Sequence, residues 1–231
     1  MNDSATVVPL SLGMVRVFLL RGKQTVLVDT GQPGHAAAIL AGLAEQGLSG
    51  SDVSLLLLTH GHVDHAGSAG ELRALTGAPI AMHRGDVELL RQGANIALRP
   101  VGLVGRLASW LFWLQKSATP PAVEPDILLE GETDLAGYGV AARVIPTPGH
   151  TPGSISVALA DGQVMVGDLL MGSLLWRRPS YPLFADDMAR LRQSIKKVME
   201  LAPTCVWPAH GGPFEPEAIW RRFPWSRGEA T

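Results

Sequence analysis

Short apolar runs broken by turn residues alternate along the chain with stretches of helical periodicity. The runs MVRVFLL (14–20) and TVLVD (25–29), separated by RGKQ, predict a β-hairpin. Apolar residues at helical spacing then predict a helix over 35–47. The uniformly apolar SLLLLTH (54–60) predicts a strand that is covered on both faces.

The rest of the chain continues this alternation of strands and helices. The pattern predicts helices over 65–75, 85–92, 186–202 and 215–223, and strands near 79–82, 127–130, 140–146, 154–159, 163–167 and 204–207. Two halves that each contain several strands and helices predict two sheets packed face to face, with helices outside. We therefore expect an α+β fold and a single domain over residues 1–231.

The segment between the two halves, residues 93–126, differs in composition. It is rich in leucine and tryptophan and then in proline, and its stretch VGLVGRLASWLFWL carries one charge. Such a segment needs a covering surface, which a substrate cleft, a partner subunit or a membrane would provide, whereas packing on its own domain is the alternative. We expect an apolar insert or lid in which Trp110, Phe112 and Trp113 favour a substrate with an apolar acyl chain.

Charge and cysteine content limit the function classes. With 19 basic and 21 acidic residues, the chain has a formal charge of −2 and lacks the positive field that nucleic-acid binding requires. The single cysteine, Cys205, cannot form an internal disulfide. The N-terminus has no secretory signal pattern, and no apolar run reaches the roughly 18 residues of a spanning helix, so we expect a cytoplasmic protein. We expect a small-molecule substrate as partner, and the sequence leaves membrane contact and a homodimer open.

The stretch LLLLTHGHVDHAG gathers three of the seven histidines beside an aspartate. Alternate side chains of an extended segment share a face, so His60 and His62 can point at one ion while Gly61 keeps the backbone out of the way. Asp64 and His65 stand where a helix would begin, and they offer an oxygen and a nitrogen to a neighbouring position. Histidine and carboxylate together suit zinc, iron or manganese better than calcium.

Three further ligand-type residues stand at the ends of predicted strands or in turns. They are His150 in PTPGHTPGS, Asp168 in MVGDLL and His210 in WPAHGG, each close to glycine or proline. Each has an ordinary alternative, respectively a turn histidine, a capping aspartate and a surface histidine. Together with the first cluster they provide seven ligands, enough for two metal ions with open positions for water and substrate.

The motifs LVDTG, HGHVDHAG, PTPGHTPGS, VGD and PAHG occur in this order and resemble those of the metallo-β-lactamase fold superfamily. The resemblance covers nearly the whole chain and implies a four-layer αββα sandwich with the metals at one edge of the two sheets. It also implies that Asp29 supports the ligand loops by hydrogen bonds, for which a turn aspartate closing the hairpin is the alternative. The implied ligands are His60, His62 and His150 at one ion, Asp64, His65 and His210 at the other, and Asp168 bridging both.

Such a centre makes hydrolysis the natural chemistry. Two ions about 3.5–4 Å apart can share a water, lower its pKa and polarise the bond that it attacks. We expect two Zn²⁺ ions, with iron or manganese as alternatives, and a metal-bridging hydroxide as the nucleophile. Asp64 is the expected catalytic residue, because it could receive or pass on the proton.

The ligand set resembles the glyoxalase II and lactonase branches, which implies a carboxylic ester, thioester or lactone as substrate. The β-lactamases of this fold lack the bridging aspartate. Longer glyoxalase II enzymes carry a C-terminal helical extension, whereas only about twenty residues follow His210 in this sequence. Lactonases often carry a tyrosine shortly after that aspartate, where this chain has Leu169 and Leu170; Tyr181, further along, is a candidate substrate contact. A small-molecule phosphodiesterase, a β-lactamase-like hydrolase and a non-catalytic metal-binding protein remain alternatives.

Overall fold

Two mixed β-sheets with helices on their outer sides form the fold. The structure is a computed structural model that describes residues 5–92, 99–114, 122–173 and 178–227, with the backbone alone for 111–114. The strands are β1 (Thr6–Leu12), β2 (Val15–Arg21), β3 (Thr25–Val28), β4 (Val53–Leu57), β5 (Ile80–His83), β6 (Ile127–Leu129), β7 (Thr133–Asp134), β8 (Ala142–Pro146), β9 (Ile155–Leu159), β10 (Gln163–Gly167), β11 (Met171–Gly172), β12 (Pro179–Ser180) and β13 (Cys205–Pro208). The α-helices are α1 (Ala36–Glu45), α2 (Val63–Ala66), α3 (Ala69–Thr76), α4 (Val87–Gln92), α5 (Gly102–Leu114), α6 (Met188–Glu200) and α7 (Pro216–Arg222).

The first sheet contains β1 to β6 in sequence order. Its strands β2 and β3 form the predicted antiparallel hairpin, and β3 to β6 run parallel because longer connections, most of them helical, join them. The sequence pattern predicted no element at β1, which pairs antiparallel with β2 along its whole length. Its side chains are exposed or half-buried throughout, and Pro9 within it is tolerated because β1 is an edge strand.

The second sheet has the strand order β13-β10-β9-β8-β7, and β11 and β12 form a separate small ladder. Side chains alternate along a strand, so each sheet contributes to two apolar layers. In β2, Leu19 packs with the residues of α1 and α3, whereas Phe18 and Leu20 pack against residues of the second sheet. A third layer joins the second sheet to α6 and α7. This is the expected α+β sandwich of four layers, helices, sheet, sheet and helices.

Two element boundaries differ from the prediction at the edge where the ligand motifs lie. Strand β4 ends at Leu57 rather than at residue 60, because the Thr59 amide donates to Asp29 Oδ1 (2.7 Å) instead of to a neighbouring strand. The predicted helix over 65–75 is two helices, α2 and α3. The chain breaks between them because the Gly67 amide donates to the Gly31 carbonyl (2.9 Å), outside either helix.

Helix α5 occupies the centre of the predicted insert, whose residues 93–98 and 115–121 lie outside the described residues. The chain before α5 pairs with a segment that follows β12, since Pro100 forms an antiparallel bridge with Phe184. The Val101 amide donates to the Leu183 carbonyl (2.8 Å). In the described ranges, no helix combines the length and the apolarity that a bilayer crossing needs.

The layer between the two sheets predicts the effect of one substitution. The substitution Leu57→Ala should lower the unfolding free energy by about 2–5 kcal/mol, because Leu57 is fully buried in that layer and a cavity would replace its side chain. Urea denaturation followed by circular dichroism measures this loss. The control is Leu75→Ala on α3, where the side chain is 55% exposed and the expected change is within about 0.5 kcal/mol. Equal losses in the two variants would contradict this assignment of the core.

Candidate metal centre

The ligand-type residues come together at one edge of the sandwich because they follow strand ends. His60 lies just after β4, His150 after β8, Asp168 directly after β10 and His210 after β13. The remaining three, His62, Asp64 and His65, lie at the start of α2. The structure therefore brings all seven residues of the expected ligand set to a single site, from segments that are far apart in sequence.

Three imidazole nitrogens converge in a first group. His60 Nε2 lies 3.1 Å from His62 Nδ1 and 3.2 Å from His150 Nε2, and His62 Nδ1 lies 2.9 Å from His150 Nε2. Two nitrogens bound to one tetrahedral ion at about 2.05 Å would lie about 3.3 Å apart. The three side chains are buried. This triangle of nitrogens therefore has nearly the size that a single zinc-like ion requires.

A second group contains two histidines and two carboxylates. His210 Nε2 lies 3.3 Å from Asp64 Oδ2 and 3.5 Å from Asp168 Oδ1, and His65 Nε2 lies 3.4 Å from the same Asp168 oxygen. The other oxygen of Asp168, Oδ2, lies 3.6 Å from His150 Nε2 in the first group. Asp168 therefore faces both groups, one oxygen toward each.

Two buried polar atoms in this centre test whether the residues fit metal ions. His65 Nε2 and Asp168 Oδ1 make no hydrogen bond with the described part of the chain. Buried polar atoms almost always have a partner, and a cation that accepts lone pairs from both atoms would provide it. Three overlapping sets of three residues occur here, and within each set the ligand atoms lie within 4.8 Å of one another, so the centre can hold metal ions. The residues present fit that role.

Backbone carbonyls fix the orientation of two of these imidazoles. Nδ1 of His150 donates to the Phe184 carbonyl (2.8 Å), and Nδ1 of His210 donates to the Met14 carbonyl (2.8 Å). When the rings are neutral, these bonds leave a lone pair on each Nε2, directed at the centre. Met14 lies in the turn between β1 and β2, so the backbone of this turn contributes to the site.

A single buried carboxylate, Asp29, supports ligands of both groups. Its Oδ1 accepts from the Thr59 amide (2.7 Å), and its Oδ2 accepts from Thr59 Oγ1 (2.9 Å) and from His65 Nδ1 (2.8 Å). Thr59 Oγ1 also lies 3.1 Å from His60 Nδ1. Asp29 follows β3 rather than closing the hairpin, and its backbone has a φ of 64°, in the left-handed region that side-chain-bearing residues rarely adopt.

Asp86 is a site residue that the sequence pattern did not reveal. Its buried carboxylate accepts from the Gly61 amide (3.0 Å), the Thr151 hydroxyl (2.6 Å) and the Gly153 amide (2.6 Å). It thereby ties the loop that carries His60 to the loop that carries His150. In the sequence Asp86 reads as an ordinary acidic residue at a helix start, so no pattern marks this role.

The two groups differ in electrostatics. Burial lowers the pKa of His60 well below its usual value and that of His62 to about 3. Burial also acts to lower the pKa of His210, but Asp168 and Asp64 outweigh it and raise this pKa to about 9. The pKa of His65 is likewise well above its usual value, since the carboxylates around it outweigh its burial. In the metal-free centre His60 and His62 are thus neutral, whereas the second group pairs protonated imidazoles with carboxylates.

Of the three expected substrate contacts, the structure describes the side chains of Trp110 and Tyr181. Trp110 lies on α5 with its side chain 58% exposed, and the side chain of Trp113 lies outside the described residues. The ring of Tyr181 packs on Phe223, with centroids 4.8 Å apart, and its hydroxyl accepts from Arg192 Nε (3.2 Å) in α6. These contacts of Tyr181 give no support to a role in substrate binding.

Comparisons with known proteins agree with this geometry. The profile of the Metallo-beta-lactamase superfamily matches residues 10–210. A probable metallo-hydrolase of Methanocaldococcus jannaschii is 28% identical over 198 residues, which cover 84% of this chain and 86% of that protein. A hydroxyacylglutathione hydrolase of Anaeromyxobacter dehalogenans is 29% identical over 76% of this chain and 52% of its own length, so the chain spans about half of that relative. The solved structure of BLEG-1 B3 metallo-beta-lactamase superposes with a TM-score of 0.70 at 24% identity, covering 97% of this chain and 100% of that one, a likeness of fold.

The contacts of Asp86 predict a loss of metal affinity in Asp86→Asn. Whichever way the new amide turns, its NH₂ group faces the Gly61 or the Gly153 amide, so one donor loses its acceptor. We expect Zn²⁺ affinity to fall by about 10–100-fold and unfolding free energy by about 1–3 kcal/mol. Competition with a chromophoric chelator measures the affinity.

The matched control for that substitution is Asp134→Asn. Asp134 lies exposed in β7, away from the ligand residues, and accepts a comparable bond from the Ala136 amide (2.6 Å). This variant should keep the affinity of the unmodified protein. An unchanged affinity in Asp86→Asn would show that the two loops hold their positions without this carboxylate.

The raised pKa values predict that metal ions would bind at the two groups with different pH dependence. His210 holds its proton up to a pH of about 9, so an ion at the second group must displace that proton. His62 is already neutral above about pH 3, so an ion at the first group displaces no proton from it. Between pH 6 and 9, in round numbers, affinity at the second group should therefore rise with pH more steeply than at the first. Calorimetry in buffers of different ionisation enthalpy counts the protons released.

The same shift has a defined sign in folding. Protonated His210 stabilises the metal-free protein fully below its unfolded pKa of about 6.5, and this contribution is lost as pH rises through about 9. Equal proton release in both metal-binding steps, or no change of metal-free stability across this window, would contradict the assignment.

Proposed function

Since the chain belongs to the metallo-beta-lactamase superfamily, we propose that it is a dinuclear metal-dependent hydrolase of a carboxylic ester, thioester or lactone with an apolar acyl group. The observation that carries the proposal is the position of Asp168, whose two oxygens lie 3.4 Å and 3.6 Å from histidine nitrogens of different groups. A carboxylate in this position suits a pair of ions.

We assign one ion to His60, His62 and His150. We assign the other to Asp64, His65 and His210, with Asp168 between them. Nitrogen and carboxylate donors favour Zn²⁺, with iron or manganese as alternatives. Bound there, two divalent ions would supply an activated water and polarise the oxygen of the bond to be cut. The three overlapping sets, within each of which the ligand atoms lie within 4.8 Å of one another, support this assignment.

The protein's own residues would orient the centre and move the proton. Asp64 has the more exposed side chain of the two ligand carboxylates, 30% against 10% for Asp168, so it stands nearest to incoming substrate. Burial acts to raise the pKa of Asp64, but His65 and His210 lower it to about 2, so the carboxylate is ionised at neutral pH. We assign to Asp64 the transfer of the proton from the attacking water toward the leaving group.

Two observations support an acyl substrate. The relative from Anaeromyxobacter dehalogenans is by name a hydrolase of a hydroxyacylglutathione. Pro100, in the apolar segment over 93–126, forms a bridge with Phe184. The Phe184 carbonyl in turn accepts from His150 Nδ1 in the centre. We therefore propose that residues 1–231 form one hydrolase domain in which this segment is an insert beside the centre. Because the chain spans about half of that relative, the leaving group is left as an alcohol or a thiol.

Turnover by the Zn²⁺-loaded protein tests this function on lactone, thioester, aryl ester, phosphodiester and β-lactam substrates. We expect about two metal equivalents, and kcat/KM on lactones, thioesters or esters that rises with acyl length. Asp168→Asn should lower kcat/KM by about a hundredfold or more, because its amide replaces one ligand oxygen with a donor. The control Asp134→Asn should retain activity.

Each other outcome of that panel has a distinct meaning. Two bound metal ions without turnover of any substrate would favour a non-catalytic metal-binding protein. Turnover confined to phosphodiesters or β-lactams would overturn the proposed bond type. A rate that is independent of acyl length would remove the apolar acyl group from the proposal.

A further inference from the structure

Helix α5 turns its small residues toward the protein. Gly105 is buried, and a Cβ atom added there would collide with the Leu183 carbonyl oxygen. Ala108 and Ser109, which lie three and four residues further on, are half-buried on the same side. The helix therefore lies close to the segment after β12, and over residues 102–110, where its side chains are described, the side that faces the protein carries glycine, alanine and serine.

The opposite side of α5 carries large apolar side chains that point to solvent. Leu103, Leu107 and Trp110 follow the spacing of one helical face and are 81%, 60% and 58% exposed, and Val104 beside them is 63% exposed. These four residues, the outer face of α5, are half of the eight exposed large hydrophobics among the described residues. A surface helix normally buries such a stripe against its own core, so this exposure is the reverse of the usual arrangement.

Charge identifies the kind of surface that the outer face fits. The sequence from 93 to 123 contains Arg99, Arg106 and Lys116 but no acidic residue, although acidic residues outnumber basic ones in the whole chain by 21 to 19. A helix with exposed leucine and tryptophan, an exposed Arg106 and no acidic residue of its own matches the headgroup layer of an anionic bilayer. We propose that the outer face of α5 binds the surface of an anionic membrane, with the helix lying in the plane of the headgroups.

A second copy of the chain fits this face less well. In a two-fold symmetric dimer the same patch meets itself, so each copy would bring Arg106 and no acidic residue of α5 to the interface. A stable interface also buries about 800 Å² on each partner, which four side chains do not supply. Both arguments favour a lipid surface, which adds anionic groups and needs no fixed partner shape.

The outer face is connected to the metal centre by a short series of hydrogen bonds. The Val101 amide donates to the Leu183 carbonyl (2.8 Å), and the Ala185 amide donates to the Arg99 carbonyl (3.0 Å). The carbonyl between them, that of Phe184, accepts from His150 Nδ1. Membrane binding through α5 would thus place the metal centre close to the bilayer surface. The inference goes beyond the proposed function and does not depend on it, because lipid binding is measured without turnover.

Cosedimentation of the full-length, Zn²⁺-loaded chain with vesicles tests this proposal. We expect binding to phosphatidylcholine vesicles that contain phosphatidylglycerol, weaker binding to pure phosphatidylcholine, and a decrease with salt. Leu107→Asp should lower the partition coefficient by about tenfold or more, because it places a charge where an apolar side chain would be buried. Arg106→Ala should lower binding to the phosphatidylglycerol vesicles more than to the neutral ones.

The matched control is Leu75→Asp on α3, which makes the same substitution at a leucine that is 55% exposed. It should leave vesicle binding unchanged, and circular dichroism should show that both variants are folded. Absence of binding by the unmodified chain, or equal losses in both variants, overturns the proposal. Light scattering that shows a dimer dissociated by Leu107→Asp, with no vesicle binding, would instead assign the outer face to a second copy.

Discussion

The carboxylate of Asp29 is the constraint on which the rest of the centre depends. It accepts three hydrogen bonds from Thr59 and His65, in the loop after β4 and in α2. These bonds end strand β4 early, direct the His65 ring and, through the Thr59 hydroxyl, reach His60. To make them the chain adopts a left-handed backbone at Asp29, which is unfavourable for a residue with a side chain. A buried carboxylate without these donors would be costly, so fold and site stabilise each other here.

The remaining ligands are positioned by the same principle, with other acceptors. Asp86 holds the Gly61 and Gly153 amides, and the carbonyls of Phe184 and Met14 hold the outer nitrogens of His150 and His210. Three of the five histidine rings, those of His65, His150 and His210, are thus oriented by a partner on a different chain segment. Such a centre is rigid because several elements of both sheets would have to move together before one ring could turn.

The sequence predicted which histidines and aspartates the fold brings together, but of the groups that orient them it indicated only Asp29, for a physical reason. Histidine and aspartate beside glycine and proline are recognisable because few other roles require them in such numbers. A backbone carbonyl that accepts from a histidine has no signature, since every residue has one. Asp86 binds Thr151 from 65 positions away, a distance that no local pattern records. Strand β1 was missed because Pro9 and its exposed side chains weaken its alternation, and the apolar pattern of β4 continues past its end at Leu57.

The imidazolium and carboxylate groups of the second ligand group also bear on how the protein acquires its metals. In the metal-free chain, the positive charge on His210 and His65 occupies the place of a cation beside Asp64 and Asp168. Protonated imidazoles therefore balance these carboxylates before any ion arrives, which lowers the cost of burying them in the metal-free chain. A cation that binds at this group therefore exchanges with imidazolium protons instead of entering a centre of unpaired negative charge.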